Sequence, residues 1–422
     1  MVATGVSLSS WVARTPAVRD ALDVTTGAMG LVLFGLSIGS MAGVLVSGAL
    51  VRRHGARPVI AVGAALLVVG LGAVAASAAG GLTAGVFGGL ALFGVGMGLA
   101  EVAFNIEGAA VERALGRPVL PVLHGCYSLG TVVGALLGMA LTAVDFPVGW
   151  HLAGAAACTA AAATWSVRAT LPGTGKAQPG DEAAGGEGWR AQVRVWRDGR
   201  LVLIGAIVLA MAFAEGSAGD WLPLLMVDGH GTTATEGSLT FLLFAIAMTV
   251  GRFTGSPLLE RFGRAVVVRA SALVAAAGVA LVVFSSSAVV AGAAVVLWGL
   301  GASLGFPVTI SAAGEGARPA DVDGTAAAGE PAPAAPDAAA RVSAVATAGY
   351  VAFLVGPPLL GFLGDHVGLR GAMIVVLVFV LVASLLTRAL EAPKRTVASA
   401  GDRTPDPAVE PEGRAKAVRG EG

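Results

Sequence analysis

The chain has 422 residues, of which 55% are hydrophobic and only 13% are charged, and its mean hydropathy is +0.80. Soluble proteins carry roughly 25% charged residues, so this chain has too little polar surface for a soluble globule of its length. Its 27 basic and 27 acidic residues cancel, which removes the argument from bulk basicity for a nucleic-acid-binding protein. Cys126 and Cys158 both lie in apolar stretches and predict neither a disulfide framework nor a metal site. The composition predicts a polytopic membrane protein without a cofactor.

The apolar stretches follow one another along the whole chain. A helix needs roughly 18–25 apolar residues to cross about 30 Å of hydrocarbon. Met1–Val18 is short and carries Arg14, and it lacks the basic leader and cleavage site of a signal peptide, so we interpret it as the remaining part of a first helix. The other spans are predicted at 27–50, 58–79, 82–104, 120–143, 148–167, 201–226, 238–256, 265–286, 288–313, 342–363 and 371–387. The sequence therefore predicts an all-α integral membrane protein with twelve helices.

The charges of the connections predict the orientation of these helices. Basic residues gather in alternate connections, whereas the connections near 77–83 and 286–288 carry no charge and the one near Asp145 is acidic. This positive-inside distribution predicts a multi-pass protein of the plasma membrane, the inner membrane of a bacterial cell, with both termini in the cytoplasm. The connection 313–341 carries five acids against two arginines, and the helix count alone places it inside.

The composition changes at three places. Segments 172–198, 314–341 and 392–422 are rich in polar residues, Pro, Ala or Gly and cannot bury a core. We therefore predict a first six-helix half at 1–171, a cytoplasmic linker at 172–198 and a second six-helix half at 199–391. The second half contains the low-complexity insert 314–341, and 392–422 is a disordered cytoplasmic tail.

An internal repeat supports this division. Arginines and a glycine follow the second helix in the stretch 48–57, and a similar stretch, 260–264, follows the eighth helix. The only two tyrosines, Tyr127 and Tyr350, open the fifth and eleventh helices, and each is followed eleven residues later by a glycine. The pattern predicts two six-helix pseudo-repeats.

These loop motifs resemble those of the major facilitator superfamily, and the resemblance covers essentially the whole chain. The family's loop between the second and third helices reads Gly-x-x-x-Asp-Arg-x-Gly-Arg-Arg, and here Arg52 occupies the position of the acid. The resemblance implies gating loops that hold one access state closed, and the Arg52 departure weakens the first of them. The residues involved are Gly48, Arg52, Arg53, Gly55 and Arg57 in the first loop and Glu260, Arg261, Gly263 and Arg264 in the second. A third echo, Gly361 to Gly368 with Asp365, lies at the outer end of the eleventh helix.

Within the superfamily the chain is most similar to the fucose-permease-like branch. The residues that carry this likeness are Glu101 to Asn105, Gly301-x-Ser303-x-x-Phe306-Pro307, Ala348 to Tyr350 and Gly356 to Pro358. Sugar permeases of the branch have an acid in the first helix, whereas the stretch 10–13 offers none, which argues against fucose or a similar sugar as the substrate. The first helix also begins later than in the family, which indicates a late start site or a naturally shortened helix.

Three acids lie inside the predicted spans: Glu101, Glu215 and Asp220. A charge at mid-bilayer costs about 2.5–3.5 kcal/mol on insertion scales, so such residues are functional candidates. Glu101 and Asn105 share one face of the fourth helix. A desolvated carboxylate can exchange a proton as water access alternates between the two sides, and the Asn105 amide can bond a substrate hydroxyl. In the alternative interpretation, Glu101 pairs with a basic residue near the inner surface, such as Arg113 or Arg117.

Glu215, Asp220 and Trp221 lie in the seventh helix, where Gly216 and Gly219 predict a loosened or broken helix that lines a cavity. In a regular helix Glu215 and Asp220 lie about 140° apart and do not both face one ligand. The alternatives are an outer-surface cap for Asp220 and an interfacial aromatic belt for Trp221.

His124, Tyr127 and Tyr350 complete the candidate site. A titrating His124 in a cavity can relay protons, whereas at the interface it has no special role. The two tyrosine hydroxyls bond ligand from symmetric positions, or the rings pack at the seam between the halves.

Two arginines inside the spans receive structural interpretations. We expect Arg14 to pair with Asp20 or Asp23 rather than to attract an anion in the outer mouth. We expect Arg252 to pair with Glu260, farther along the eighth helix.

The leading hypothesis is a monomeric secondary active transporter that moves a small polar solute by alternating access. Proton coupling through Glu101 or Glu215 is favoured because the sequence has no Gly-x-x-x-x-Gly-Lys-Ser/Thr phosphate-binding loop. Uptake and export both stay open. The alternative is a non-transporting solute receptor or an inactive paralogue, which Arg52 and the short first helix keep open. An intramembrane enzyme is disfavoured because the spans lack a metal-ligand cluster or a nucleophile with a partnered base.

Overall fold

A computed structural model describes residues 1–117, 119–177, 195–314 and 338–391. These residues contain helices and no strand. The α-helices are α1 (Val2–Ala13), α2 (Thr15–Leu22), α3 (Thr26–His54), α4 (Ala56–Ala79), α5 (Thr83–Leu115), α6 (Leu120–Ala143), α7 (Val148–Ala169), α8 (Gly199–His230), α9 (Ala234–Phe262), α10 (Arg264–Phe284), α11 (Ala288–Ala302), α12 (Gly305–Gly314) and α13 (Ala338–Leu386), followed by a 3₁₀ turn at Thr387–Leu390.

These helices form twelve spans. Two of the spans are each interrupted and consist of two helices, whereas α13 contains two spans. The first span breaks between α1 and α2 at Arg14, with Pro16 in the first turn of α2. The tenth breaks between α11 and α12 at Ser303, and α13 contains two helices that meet at Gly368, with φ 74° and ψ 158°. Within the described residues, nine helices are long and apolar enough to cross a membrane. The predicted all-helical, twelve-helix architecture is confirmed.

Local sequence signals set several helix ends. The Thr25 side chain accepts a hydrogen bond from the Ala28 backbone N–H at the start of α3. Thr233 and Glu236 form a reciprocal capping box at the start of α9. Gly55 ends α3 with φ 88° and Gly263 ends α9 with φ 75°, a backbone region that glycine adopts at little cost.

Following the predicted division at the linker, we call α1–α7 the first half and α8–α13 the second half. In the first half α5 packs along α3 and α4, and α1 packs along α6. In the second half α13 packs along α8, and α10 packs along α11. The halves meet where α3 lies against α13 and where α6 lies against α9. Close approach depends on small residues, since a Cβ added to Gly63 would lie 2.9 Å from the Gly96 carbonyl oxygen.

Because successive helices alternate in direction, the connections gather at two ends of the bundle. We call the end with the α3–α4 and α9–α10 connections the Arg52 end. We call the end with the α2–α3 connection and the break at Gly368 the Asp365 end. Residues 172–177 of the predicted linker lie at the Arg52 end, where the Ala56 N–H donates to the Thr174 carbonyl at 2.8 Å.

The seventh span differs from its prediction. The helix α8 is continuous from Gly199 to His230 through Gly216, Gly219 and Pro223, so the predicted break is wrong. Packing against α13 on one side and α9 on the other holds this span helical, and the described breaks lie in the first and tenth spans instead. Most of the predicted linker (178–194), most of the insert (315–337) and the tail (392–422) lie outside the described residues.

Candidate functional site

Polar side chains from both halves meet in the middle of the bundle. They are Glu101 on α5, Tyr127 on α6, Glu215 on α8, Arg252 on α9 and Tyr350 on α13, and we call them the central cluster. Glu101, Glu215 and Arg252 all lie within electrostatic range of the Tyr127 hydroxyl, and Glu101 also lies within electrostatic range of the Tyr350 hydroxyl. The candidate residues that the sequence places on α5, α6, α8 and α13 therefore share one electrostatic environment.

Glu101 lies deep in the protein, yet its side chain is exposed rather than covered by neighbouring side chains. Within the described residues it forms no ion pair with Arg113, Arg117 or any other basic side chain. The Oδ1 atom of Asn105, one helical turn further along α5, is buried and accepts no hydrogen bond from the described chain. Two acceptors on one helix face are thus left for a proton, water or solute.

Glu215 and Arg252 form an ion pair between α8 and α9. Arg252 Nη2 lies 2.7 Å from Glu215 Oε1, and the two side chains are 33% and 22% exposed. Arg252 Nη1 also donates to Ser128 Oγ of the first half at 3.4 Å. The expected pairing of Arg252 with Glu260 is therefore wrong. Pairing across to α8 satisfies a charge in mid-span, where an unpaired cation is costly.

Asp220 and Trp221 occupy the same helix but a different environment. Because α8 is regular, Asp220 lies about 140° around its axis from Glu215, so the two carboxylates do not face one ligand. Asp220 lies deep in the protein and is only partly exposed, unlike an outer-surface cap. Trp221 is 0% exposed and packs near Gly30 of the first half, which rules out the aromatic-belt alternative. Its Nε1 has no hydrogen-bond partner in the described chain.

His124 and Arg14 lie on either side of the central cluster along the bundle. His124 is exposed and lies within electrostatic range of Arg252, one turn of α6 before Ser128. Arg14 is 4% exposed; it donates to Thr142 Oγ1 at 2.8 Å and to the Phe146 carbonyl. The expected pairing of Arg14 with Asp20 or Asp23 is therefore wrong, because its side chain turns into the first half.

The predicted gating loops adopt tight turns at the Arg52 end. Gly55 and Gly263 both have positive φ, and the Arg52 carbonyl accepts a hydrogen bond from the Ala177 N–H at 2.9 Å. The Arg261 guanidinium carbon lies 5.2 Å from the centre of the Phe262 ring. The latch role of these loops stays a prediction.

A second charged cluster ties helix ends together at the Arg52 end. Arg341 Nη1 lies 2.8 Å from Asp198 Oδ2, and Arg341 Nε donates to the Ala313 carbonyl at 3.1 Å. Partial burial acts to raise the pKa of Asp198, but hydrogen bonds from Arg341 and from the Arg200 N–H outweigh it and hold this pKa below its usual value. Among the described residues, no group of three or more His, Cys, Asp or Glu side chains is placed to hold a metal ion.

Comparisons with known proteins agree with this architecture. A family model described as the Major Facilitator Superfamily matches residues 1–329. The chain is 27% identical over 395 residues to an uncharacterised MFS-type transporter of Yersinia pestis, with 92% of each protein covered. It is 24% identical over 383 residues to the membrane protein MosC of Rhizobium meliloti, covering 90% of this chain and 86% of MosC.

Solved structures share the fold. The nucleoside transporter NupG, as a D323A mutant, superposes with a TM-score of 0.69 at 14% identity, covering 92% of this chain and 97% of NupG. The Escherichia coli fucose:proton symporter FucP superposes with a TM-score of 0.57 at 17% identity, covering 93% of this chain and 98% of FucP. A D-xylose-proton symporter gives a TM-score of 0.65 at 14% identity, covering 92% of this chain and 95% of the symporter.

Proposed function

The chain belongs to the Major Facilitator Superfamily, and on that premise we propose that it is a proton-coupled secondary transporter of a small polar solute. It lies in the plasma membrane as a monomer with both termini in the cytoplasm, and it works by alternating access rather than by catalysis. The observation that carries the proposal is the central cluster, in which both halves contribute polar groups to one mid-bundle site. It includes the Glu101 carboxylate, which has no cationic partner among the described residues.

Glu101 is the proton carrier in this proposal. It faces a solvent-accessible interior and has no cationic partner in the described chain, so a proton is the charge that neutralises it. An unpaired carboxylate is costly to enclose when water is excluded. Protonation therefore favours the states in which the cavity closes, and this dependence couples proton movement to the reorientation of the halves. Two fold neighbours that are themselves proton symporters support the same choice of ion.

The solute binds beside Glu101 in this proposal. Tyr127, Tyr350 and Asn105 present hydroxyl and amide groups from α6, α13 and α5, which suit a solute with hydroxyl, amide or carbonyl groups. In this proposal the solute does not touch Asp220, Trp221 or His124. The helix α8 turns Asp220 away from Glu215, and Trp221 is fully buried. The Glu215–Arg252 pair forms the side of the site that belongs to the second half.

The test first identifies a ligand of the purified protein and then measures the transport of that ligand. Purified protein is screened by thermal shift against sugars, amino acids and small drugs, since a ligand stabilises the state that it binds. A compound that raises the melting temperature is then offered to proteoliposomes with and without an imposed pH gradient. We expect accumulation above the equilibrium level only with the gradient.

The second candidate function, a non-transporting receptor, predicts a different outcome from a transporter. A non-transporting receptor would bind the same compound reversibly without accumulating it under any gradient. Arg52 at the acid position of the first loop is the observation that favours this candidate. Gradient-dependent accumulation excludes the receptor, and saturable binding without flux excludes the transporter.

A further inference from the structure

Asp365, at the end of the eleventh span, binds the beginning of the second span across the two halves. Its Oδ1 accepts a hydrogen bond from the Gly27 N–H at 2.8 Å, and its Oδ2 accepts one from Thr25 Oγ1 at 3.3 Å. Thr25 is the N-cap of α3, and Gly27 belongs to its first turn. The N–H groups of a first helical turn have no partners in the helix and carry partial positive charge. A carboxylate from the second half therefore caps a helix of the first half.

The turn that carries Asp365 has the same backbone form as the two predicted gating turns. Gly368 has φ 74° and ψ 158°, Gly263 has φ 75° and ψ 163°, and Gly55 has φ 88° and ψ 164°. The residues three positions before these glycines are Asp365, Glu260 and Arg52. One turn motif thus occurs at three helix junctions, once at the Asp365 end and twice at the Arg52 end.

The three turns differ in what their leading side chain does. Asp365 forms hydrogen bonds to the other half. Within the described residues, no hydrogen bond or ion pair links the Arg52 or Glu260 side chain to the opposite half. Arg370, five residues after Asp365, anchors its own turn by donating to the Val283 carbonyl at 2.6 Å and to the Ser285 carbonyl at 2.7 Å.

The surrounding surface fits this contact closely. A side chain at Gly27 would overlap the Asp365 carboxylate. Four residues before Asp365, a Cβ on Gly361 would lie only 2.8 Å from Gly30 Cα, so α3 and α13 touch backbone to backbone. Arg19 of the first half also pairs with Asp228 of the second at this same end.

We propose that Asp365 is the latch that keeps the Asp365 end of the bundle closed, so that the resting protein has its cavity open toward the Arg52 end. The turn at Gly368 acts as the latch because it has both an acid bonded to the other half, Asp365, and an anchored arginine, Arg370. The turn at Gly55, which has Arg52 in place of the acid, does not act as a latch. The functional meaning of the latch rests on the proposed transport cycle, in which it must break once per cycle. Its conformational effect does not depend on transport and can be measured separately.

The test is a distance measurement between the halves at the Asp365 end. Spin labels are placed at Leu82 of the first half and Val289 of the second, which are 61% and 81% exposed, after Cys126 and Cys158 are changed to serine. Distances are read by double electron–electron resonance in nanodiscs. We expect one short distance for the parent protein. In Asp365→Asn, we expect the population with a longer distance to rise about fivefold, as loss of one charge–helix contact allows.

Two further variants keep the test decisive. Asp365→Glu retains a carboxylate and is expected to restore part of the short-distance population. Asp23→Asn, which makes the same change of charge at an exposed residue of the α2–α3 connection, is expected to leave the distribution unchanged. An unchanged distribution in a monodisperse Asp365→Asn protein overturns the latch, and so does an equal shift in Asp23→Asn. A shift in Asp365→Asn without solute flux in the parent keeps the latch and rejects the transporter.

Discussion

Arg252 binds Glu215 on the neighbouring helix, with 2.7 Å between Nη2 and Oε1. Both residues belong to the second half, so the pair moves as a unit when the halves move. Arg252 also contacts the first half, because its Nη1 donates to Ser128 Oγ at 3.4 Å. The pair therefore places charged groups on the side of the central cluster that belongs to the second half.

The first prediction concerns this pair. Glu215→Gln leaves the Arg252 cation unpaired, and we expect it to weaken solute binding roughly tenfold, or about 1.4 kcal/mol. Arg252→Gln is expected to do the same. Because both side chains are partly exposed, their coupling in a double-mutant cycle of melting temperatures corresponds to about 0.5–1 kcal/mol. Additive effects in the double variant would show that the two side chains act independently.

The second prediction concerns the two tyrosines. Tyr127→Phe and Tyr350→Phe each remove one hydroxyl from the surroundings of Glu101 while keeping the ring. A neutral hydrogen bond contributes about 0.5–1.5 kcal/mol, so solute affinity is expected to fall by about 2- to 10-fold at an unchanged melting temperature. Trp165→Phe, at a residue that is 77% exposed, is the matched control. Affinity equal to the parent in both tyrosine variants would place the solute elsewhere.

The third prediction concerns the contact between α3 and α13. A Cβ on Gly361 meets the Gly30 backbone at 2.8 Å, whereas a Cβ on Gly356 finds its nearest neighbour, the Phe213 ring, at 3.6 Å. We expect Gly361→Ala to destabilise this packed state by about 1–3 kcal/mol, the usual cost of overpacking, and Gly356→Ala to be tolerated. Thermal unfolding in detergent measures both. Equal melting temperatures for the two variants would contradict backbone contact at Gly361.

The fourth prediction concerns Asp198 and Arg341. Asp198→Asn leaves a guanidinium that is 5% exposed without its carboxylate, and we expect a loss of about 1–2 kcal/mol. The pKa of Asp198 is lowered in the folded protein, so its contribution is complete above about pH 4 and is lost as pH falls through the folded pKa. The difference in melting temperature between parent and variant should therefore be constant near neutral pH and shrink in acid. A difference that grows in acid would contradict the pairing.

The sequence predicts the fold well because a membrane imposes long apolar spans, and each of the twelve predicted spans corresponds to a described helix. It also singles out Glu101, Tyr127, Glu215 and Tyr350 as candidates, since polar groups are rare in such spans, and the structure brings these four side chains into the central cluster. The sequence does not predict the partner of a side chain when the possible partners lie on different helices. The sequence predicts partners close to Arg14 and Arg252 along the chain, but the structure pairs the two arginines with residues 128 and 37 positions away.

The continuity of a helix is the other feature that the sequence fails to predict. Gly216 and Gly219 predict a broken seventh span, but neighbours on both sides keep α8 regular, and tertiary packing outweighs the propensity of two glycines. The sequence does contain a signal for Arg252, namely a basic residue inside an apolar span, which carries the same desolvation cost as an acid. The contact of Asp365 with Gly27 had none, since no local pattern relates residues 338 positions apart.

The central claim is that Glu101 couples proton movement to solute movement. In proteoliposomes, we expect Glu101→Gln to abolish accumulation driven by a pH gradient while solute exchange at equal pH continues. Glu107→Gln, on the same helix, is the matched control, because the Glu107 carboxylate accepts a hydrogen bond from the Leu171 N–H at 3.0 Å and has no place in the central cluster. We predict gradient-driven accumulation in the parent and in Glu107→Gln, and none in Glu101→Gln. Undiminished proton-driven accumulation in Glu101→Gln would contradict this claim.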